Sequence, residues 1–247
     1  MIPLKSNEDL EMMRQAGRIA GRLMQQLCAF VKVGISTAQI DALAESLIRQ
    51  EQAKAAFKGY RGYPANICAS VNEEIVHGIP GSRLLEEGDI ISLDVGVDYQ
   101  GYFSDVAATL AVGKVSAQKK KLIQVTRQAL AEGIKKAQVN NHLSDISCAV
   151  QAYVESHGFS VVRDFVGHGI GRNLHEEPEI PNFGQPHQGP VLKCGMVLAI
   201  EPMVNMGGWE AKVLDNGWTA VTKDGLPSAH FEHTVAITRE GPRILTS

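Results

Sequence analysis

The chain has 247 residues, 44% of them hydrophobic and 21% charged, with a formal net charge of −3 and a pI near 6.2. That is enough apolar material for one large core or two small ones, and too much for a disordered chain. The mild acidity offers no global basic face for DNA, and no uninterrupted apolar run approaches the ~20 residues of a membrane helix.

The opening stretch, MIPLKSNEDLEMM, has no apolar run behind a basic segment, so it predicts no secretory leader and a cytoplasmic protein. Ser6 then begins an S-x-x-D capping pattern. Leu10, Met13, Ile19, Leu23 and Leu27 follow at helical spacing, which predicts a helix from about Asn7 to Phe30. Ser36 and Gln39 form a second capping box before the stripe Ile40, Leu43, Leu47 and Ile48. The run DIISLDVGVDYQGYFSDVAATLAV reads as a hairpin about a Gln-Gly turn. A third helix starts at Ser116, in SAQKKKLIQVTRQALAEGIKKA, and a fourth, LSDISCAVQAYVESHG, stops at Gly158. Residues 181–195 are a Pro- and Gly-rich loop, and GMVLAIEPMV and HFEHTVAIT are two further strands. Cys28, Cys68, Cys148 and Cys194 form no C-x-x-C pair, so they read as free thiols in a reducing compartment.

A faint internal repeat runs through this order. Gly88-x-Ile-Ile-x-Leu-Asp94 matches Gly195-x-Val-Leu-x-Ile-Glu201, and Val33 with Ile40 matches Val139 with Ile146. Each half then reads as helix–helix–hairpin, about 1–113 and about 114–247 of one domain. The two are related by a pseudo-twofold axis across which Asp94 and Glu201 face each other.

Four acids stand in apolar strand contexts: Asp94 in SLDVG, Asp105 in FSDVA, Glu201 in AIEPM and Glu232 in HFEHT. A single one is readily an exposed residue on a strand face. Four together need a shared partner, because a carboxylate is costly to bury unpaired. Asp94 and Asp105 lie on the two arms of one hairpin, where cross-strand contact is available. His168, in VGHGIGRNLHEEP, adds a nitrogen. Two Asp, two Glu and one His suit two divalent cations of the Mn, Fe, Co or Zn type, a pairing that activates water and polarises a carbonyl. The glycine run is expected to let the backbone bend sharply, so that His168 approaches the ions without Cβ clashes, and His175 to return to the same cavity, where it can donate a hydrogen bond. Glu176 and Glu177 read as solvated rim residues. The glycine spacing is not G-x-G-x-x-G, and neither H-E-x-x-H nor G-x-S-x-G occurs, so dinucleotide, zincin and α/β-hydrolase readings lack their signatures.

Six stretches in this order, FKGYRGYPANICASVNEEIVHGIPG, GDIISLDVGV, FVGHGIGRNLHEEP, GMVLAIEPMVN, DNGWTAVTKDG and HFEHTVAIT, resemble the type I methionine aminopeptidases, the short form of the pita-bread metallopeptidases (M24). The resemblance implies an α+β pita-bread fold, pseudo-twofold halves with a curved antiparallel sheet and helices packed outside. It implies Asp94 on one metal, His168 and Glu201 on the other, and Asp105 and Glu232 bridging. It further implies that Glu201 acts as acid or base, that His77 and His175 touch substrate, and that Tyr60, Tyr63, Cys68 and Trp218 line a methionine pocket. The implied activity is removal of the initiator methionine from nascent chains with a small second residue, a metal-bridged hydroxide attacking the first peptide bond. Leu174 departs from the aromatic that many relatives carry there. Prolidase-like and X-Pro enzymes usually have an extra N-terminal domain, and non-catalytic relatives typically lose metal ligands; this chain shows neither feature. A monomer is expected. The lysines of the Ser116 helix read as a solvated face or as a transient ribosome contact.

Overall fold

Each helix begins where its capping chemistry lies. The Ser6 hydroxyl accepts from the Asp9 amide while the Asp9 carboxylate accepts from the Ser6 amide, opening α1 (Asn7–Phe30). Ser36 and Gln39 do the same for α2 (Thr37–Gln50). Ser116 accepts from the Lys119 amide at the start of α3 (Ala117–Lys136), and Asp145 accepts from the His142 amide before α4 (Leu143–Ser156). The computed structural model describes residues 2–247.

The helices pack on a nine-stranded, curled antiparallel sheet. Its centre is the hairpin Ile90–Tyr99 and Tyr102–Ala111, turned by Gln100 and Gly101, both at positive φ. Positive φ at both central residues matches the right-handed twist of the flanking strands. The sheet continues from Tyr102–Ala111 through Glu232–Thr238, Val197–Ile200, Gly167–Gly169 and Glu176–Ile180. Side chains of α1 and α2 bury against the first hairpin, and Leu130, Ile134 and Ile146 of α3 and α4 bury against Leu198, Ile200 and Val235.

Two predicted strands are in fact divided. GMVLAIEPMV splits into Val197–Ile200 in the main sheet and Met203–Asn205 in a second one; HFEHTVAIT belongs to Glu232–Thr238, with Ser228–His230 paired to Met203–Asn205. Pro202 has no N–H to continue the ladder, so the chain changes sheets there. The second half is therefore not a simple hairpin: residues 201–231 lie between its two main-sheet strands and include the further hairpin Ala211–Val213 and Ala220–Thr222.

Helix α1 crosses the C-terminal segment so closely that a Cβ on Gly17 would sit 2.3 Å from the Leu245 carbonyl oxygen. Helix propensity alone favours alanine over glycine by roughly 0.5–1 kcal/mol. A contact with backbone cannot be relieved by a rotamer, and overpacking costs about 1–3 kcal/mol. Gly17→Ala is therefore expected to destabilise the protein, read as a lower urea midpoint at unchanged slope; a raised midpoint would show that propensity wins.

Candidate metal centre and pocket

Asp105 and Asp94 reach one space from the same hairpin. Asp94 pairs with Ala107 and Asp105 with Gly96, so the two acids are diagonal neighbours on one face rather than directly opposed. The Thr234 hydroxyl fixes Asp105 from the next strand, accepting from its amide at 2.9 Å and donating to its carbonyl at 2.8 Å. Glu232 begins that strand, and Glu201 sits at the break after Val197–Ile200. His168 comes from Gly167–Gly169, its Nδ1 2.8 Å from the Gly169 carbonyl oxygen. That contact places the proton on Nδ1 and leaves the Nε2 lone pair aimed inward.

One ligand atom each from Asp105, His168 and Glu232 lies within 4.8 Å of the others. Glu201 Oε1 is 3.6 Å from His168 Nε2. Asp94 Oδ1 and Glu232 Oε1 are buried and lack a hydrogen-bond partner among the described residues. Burial, then the charges of Asp105 and Glu201, push the Asp94 carboxyl well above the usual carboxylate range, and burial followed by Asp105 does so for Glu232. Burial and Glu201 raise Asp105 to about 7, and burial raises Glu201 to about 8. Burial lowers His168 to about 4, so its imidazole is neutral and able to ligate. Orphaned oxygens, mutual repulsion and a neutral imidazole fit a divalent cation bound among these groups.

Every residue singled out from sequence borders one cavity of about 160 Å³: Tyr60, Tyr63, Cys68, His77, Asp94, Asp105, His168, His175, Glu201, Trp218 and Glu232. Phe57, Arg61 and Leu174 complete its lining. Tyr63 meets Trp218 edge-on with ring centroids 5.1 Å apart, and the Tyr63 hydroxyl donates to the Gly78 carbonyl at 2.9 Å. His77 holds φ at +60°, uncommon for a non-glycine residue, and packs edge-on against Phe165. The His175 ring lies 4.2 Å from that of His168, and its Nδ1 is 2.8 Å from the Tyr60 hydroxyl.

One sequence expectation is refined and one needs correction. The chain bends at 171–175, directly after the glycine run, but none of Gly167, Gly169 and Gly171 has positive φ. They admit close neighbours: a Cβ would lie 2.5 Å from the Ala199 carbonyl oxygen at Gly167 and 2.2 Å from that of Glu177 at Gly169. Glu176 is not a solvated rim residue, because its side chain is 7% exposed and paired with Lys5. Sequence reasoning also missed His230, whose buried Nε2 lies 3.6 Å from Glu201 Oε2 with no hydrogen-bond partner among the described residues. Its position two residues before Glu232 was the available signal.

The description Metallopeptidase family M24 matches residues 11–239. The chain is 54% identical to a methionine aminopeptidase of Clostridium perfringens, over all of this chain and 99% of that protein. It is 52% identical to methionine aminopeptidase 1 of Bacillus subtilis, over 100% of the chain and 99% of the relative. The crystal structure of a Thermotoga maritima methionine aminopeptidase superposes at a TM-score of 0.99, with 46% identity and full coverage of both chains. A Pyrococcus furiosus prolidase shares the fold at a TM-score of 0.79, with 22% identity over 99% of this chain and 65% of the prolidase. On family match, identity and fold together, the chain belongs to metallopeptidase family M24, among its methionine aminopeptidases.

Proposed function

We propose that the chain is a divalent-metal aminopeptidase that removes an N-terminal methionine from polypeptides whose second residue is small. The observation that carries this reading is the cluster of Asp94, Asp105, His168, Glu201 and Glu232 at one end of a cavity otherwise walled by Phe57, Tyr63, Cys68 and Trp218. Those five residues would hold the cations, and four carboxylate charges match two divalent ions better than one. Oxygen-rich ligation with one imidazole suits Mn, Fe, Co or Zn. Bound there, the cations supply Lewis acidity towards the scissile carbonyl and acidify the attacking water.

The chain's own groups do the rest. Glu201 takes the proton of the attacking water on a carboxylate oxygen and returns it to the leaving amine. The Tyr60 hydroxyl lies 2.8 Å from His175 Nδ1; in the tautomer this role requires, the hydroxyl donates and the proton sits on Nε2, where it meets the negative charge developing on the carbonyl oxygen. His77 contacts the substrate from the opposite wall, where its positive φ and its packing on Phe165 set the ring. A methionine side chain fills the space between Tyr63, Cys68 and Trp218, because its thioether is flexible and makes favourable contacts with aromatic rings.

Four unpaired cysteines support a reducing, cytoplasmic setting. The same reading takes the chain as a monomer acting on nascent polypeptides. A ribosomal contact through α3 would rest on Lys120 and Lys136, since the Arg127 guanidinium lies over the Phe231 ring at 5.1 Å. Lys119 is occupied by Asn72 and the Gly88 carbonyl, Lys121 by the His157 carbonyl, and Lys135 by Glu132.

Metal-free protein provides the first test. Asp105 and Glu201 have folded pKa values of about 7 and about 8, against ordinary values of 3.8 and 4.5. A raised folded pKa contributes stability that is full below the ordinary value and is lost as pH climbs to the folded value. The chelated protein should therefore lose Tm from about pH 4 to about pH 8, and a divalent cation should restore it at the upper end. A Tm that rises across this interval without metal would contradict the assignment.

Asp105→Ala should abolish turnover at any cation concentration. His77→Ala and His175→Ala should bind metal normally by calorimetry and lose roughly 10²–10³-fold in kcat, the range for one lost transition-state donor. Failure of either histidine variant to bind metal would make that residue a ligand instead.

Substrate choice decides the reading as a whole. The metal-loaded enzyme should cleave Met-Ala-Ser well, Met-Lys-Ser poorly and formyl-Met peptides not at all. An X-Pro peptide without methionine emerging as the best substrate would replace this assignment with a prolidase-like one.

A further inference from the structure

The loop 170–175, between the strand Gly167–Gly169 and the edge strand Glu176–Ile180, carries His175 and has little structure of its own. Its internal backbone bonding includes Gly171 N–H to the Asn173 carbonyl at 3.1 Å. The Glu176 carboxylate closes it. Oε1 accepts from the Arg172 amide at 2.8 Å and from the Asn173 amide at 3.1 Å, while Oε2 accepts from Lys5 Nζ at 2.5 Å. Both charged side chains are 7% exposed. Lys5 arrives from the N-terminal arm, whose backbone is itself anchored by Lys5 N–H to the Gly195 carbonyl at 2.7 Å. Gly171 leaves room for it: a Cβ there would be 2.2 Å from Lys5 Nζ. A second contact lies one turn further along the chain. The Arg172 guanidinium covers the Tyr102 ring at 3.7 Å, and the Tyr102 hydroxyl donates to Asp9 at the start of α1.

We propose that Lys5 is a positioning residue, the N-terminal arm clamping the 170–175 loop through Glu176 so that His175 is held over the cavity. The proposal rests on the substrate-contacting role of His175 given above. Loops are mobile unless tied down. The two amides satisfy Oε1, but without Lys5 the buried Oε2 loses its donor, which favours the side chain swinging out to water. That frees the Arg172 and Asn173 amides, next to Leu174 and His175. A buried ion pair adds little net stability over an apolar substitute, so this one is better explained by the geometry it enforces than by the energy it adds. Because preorganised geometry is steeply linked to rate, a shift of about 1 Å in His175 is enough to lower turnover about 10²-fold.

The test compares Lys5→Met, His175→Ala and the double variant, all metal-loaded and checked for an intact thermal transition. Lys5→Met should lose roughly 10–100-fold in kcat with KM and metal affinity changed by less than about twofold. In the His175→Ala background the same substitution should change kcat by less than about twofold, because its target is gone. Hydrogen exchange at the Arg172 and Asn173 amides should accelerate at least about tenfold in Lys5→Met. Should Lys5→Met not fold, Glu176→Gln breaks the pair from the loop side with an isosteric side chain. Unchanged exchange, or an equal loss of kcat in both backgrounds, would overturn the clamp. Full turnover by His175→Ala alone would instead remove the role given to His175, and the exchange measurement would then decide the clamp by itself.

Discussion

Asp94, Asp105, Glu201 and Glu232 bring carboxyl groups into one space that offers them few donors, and each is pushed toward its protonated form. No local interaction of the chain removes that repulsion. The surrounding core holds it in place. Leu93 and Val95 flank Asp94, Val106 follows Asp105, and Ile200 precedes Glu201, all of them at most 3% exposed. The sheet is therefore a rigid frame that loads charges against one another, and a cation is the partner that makes the arrangement favourable near neutral pH. On the proposed reading, folding and ion binding would be linked through these four groups.

The opening that holds them arises where two sheets separate. After Ile200 the chain leaves the main sheet at Pro202, and it returns at Phe231, whose amide donates to the Pro202 carbonyl at 3.3 Å. The two break points are thus tied to each other. Glu201 and Glu232 lie on the main-sheet side of that tie, next to the Ile200–His233 pair, and His230, paired with Met203, lies on the other. A continuous ladder through both segments would have stacked these side chains above a closed sheet. By changing sheets, the chain turns a strand end into a wall of the cavity, which is why Glu201 is reached from a loop-like position while Asp94, its counterpart in the internal repeat, lies mid-strand.

The helices were legible because their signals are local. Ser6 with Asp9 and Ser36 with Gln39 are separated by three residues, and their capping bonds form as the spacing predicts. The acids were legible because charge in an apolar strand is conspicuous. What escaped depended on contacts distant in sequence. The Glu201–Pro202 break and the pairing of Glu176 with Lys5 are set by tertiary neighbours that no period of 2 or 3.6 encodes. The glycine run shows the difference best. The bend that its composition suggested lies just after it, at 171–175, while Gly167 and Gly169 have ordinary φ and are glycine because the carbonyls of Ala199 and Glu177, distant in sequence, leave no room for a Cβ.

The same economy of space sets the shape of the proposed side-chain pocket. A Cβ on Gly96, the residue paired with Asp105, would lie 2.6 Å from the Phe57 ring, and one on Gly78 would lie 2.5 Å from the Ala69 carbonyl oxygen. Phe57 therefore rests directly on the backbone of the central hairpin, beside the acids. Tyr63 is tied by its hydroxyl to the Gly78 and Ile67 carbonyls, and Trp218 stands edge-on against Tyr63. Walls fixed to backbone in this way have few rotamers by which to widen, so a side chain that branches early must move the sheet itself rather than a neighbouring ring. Selection for a slim, flexible side chain then follows from rigidity, with no polar contact to the side chain required.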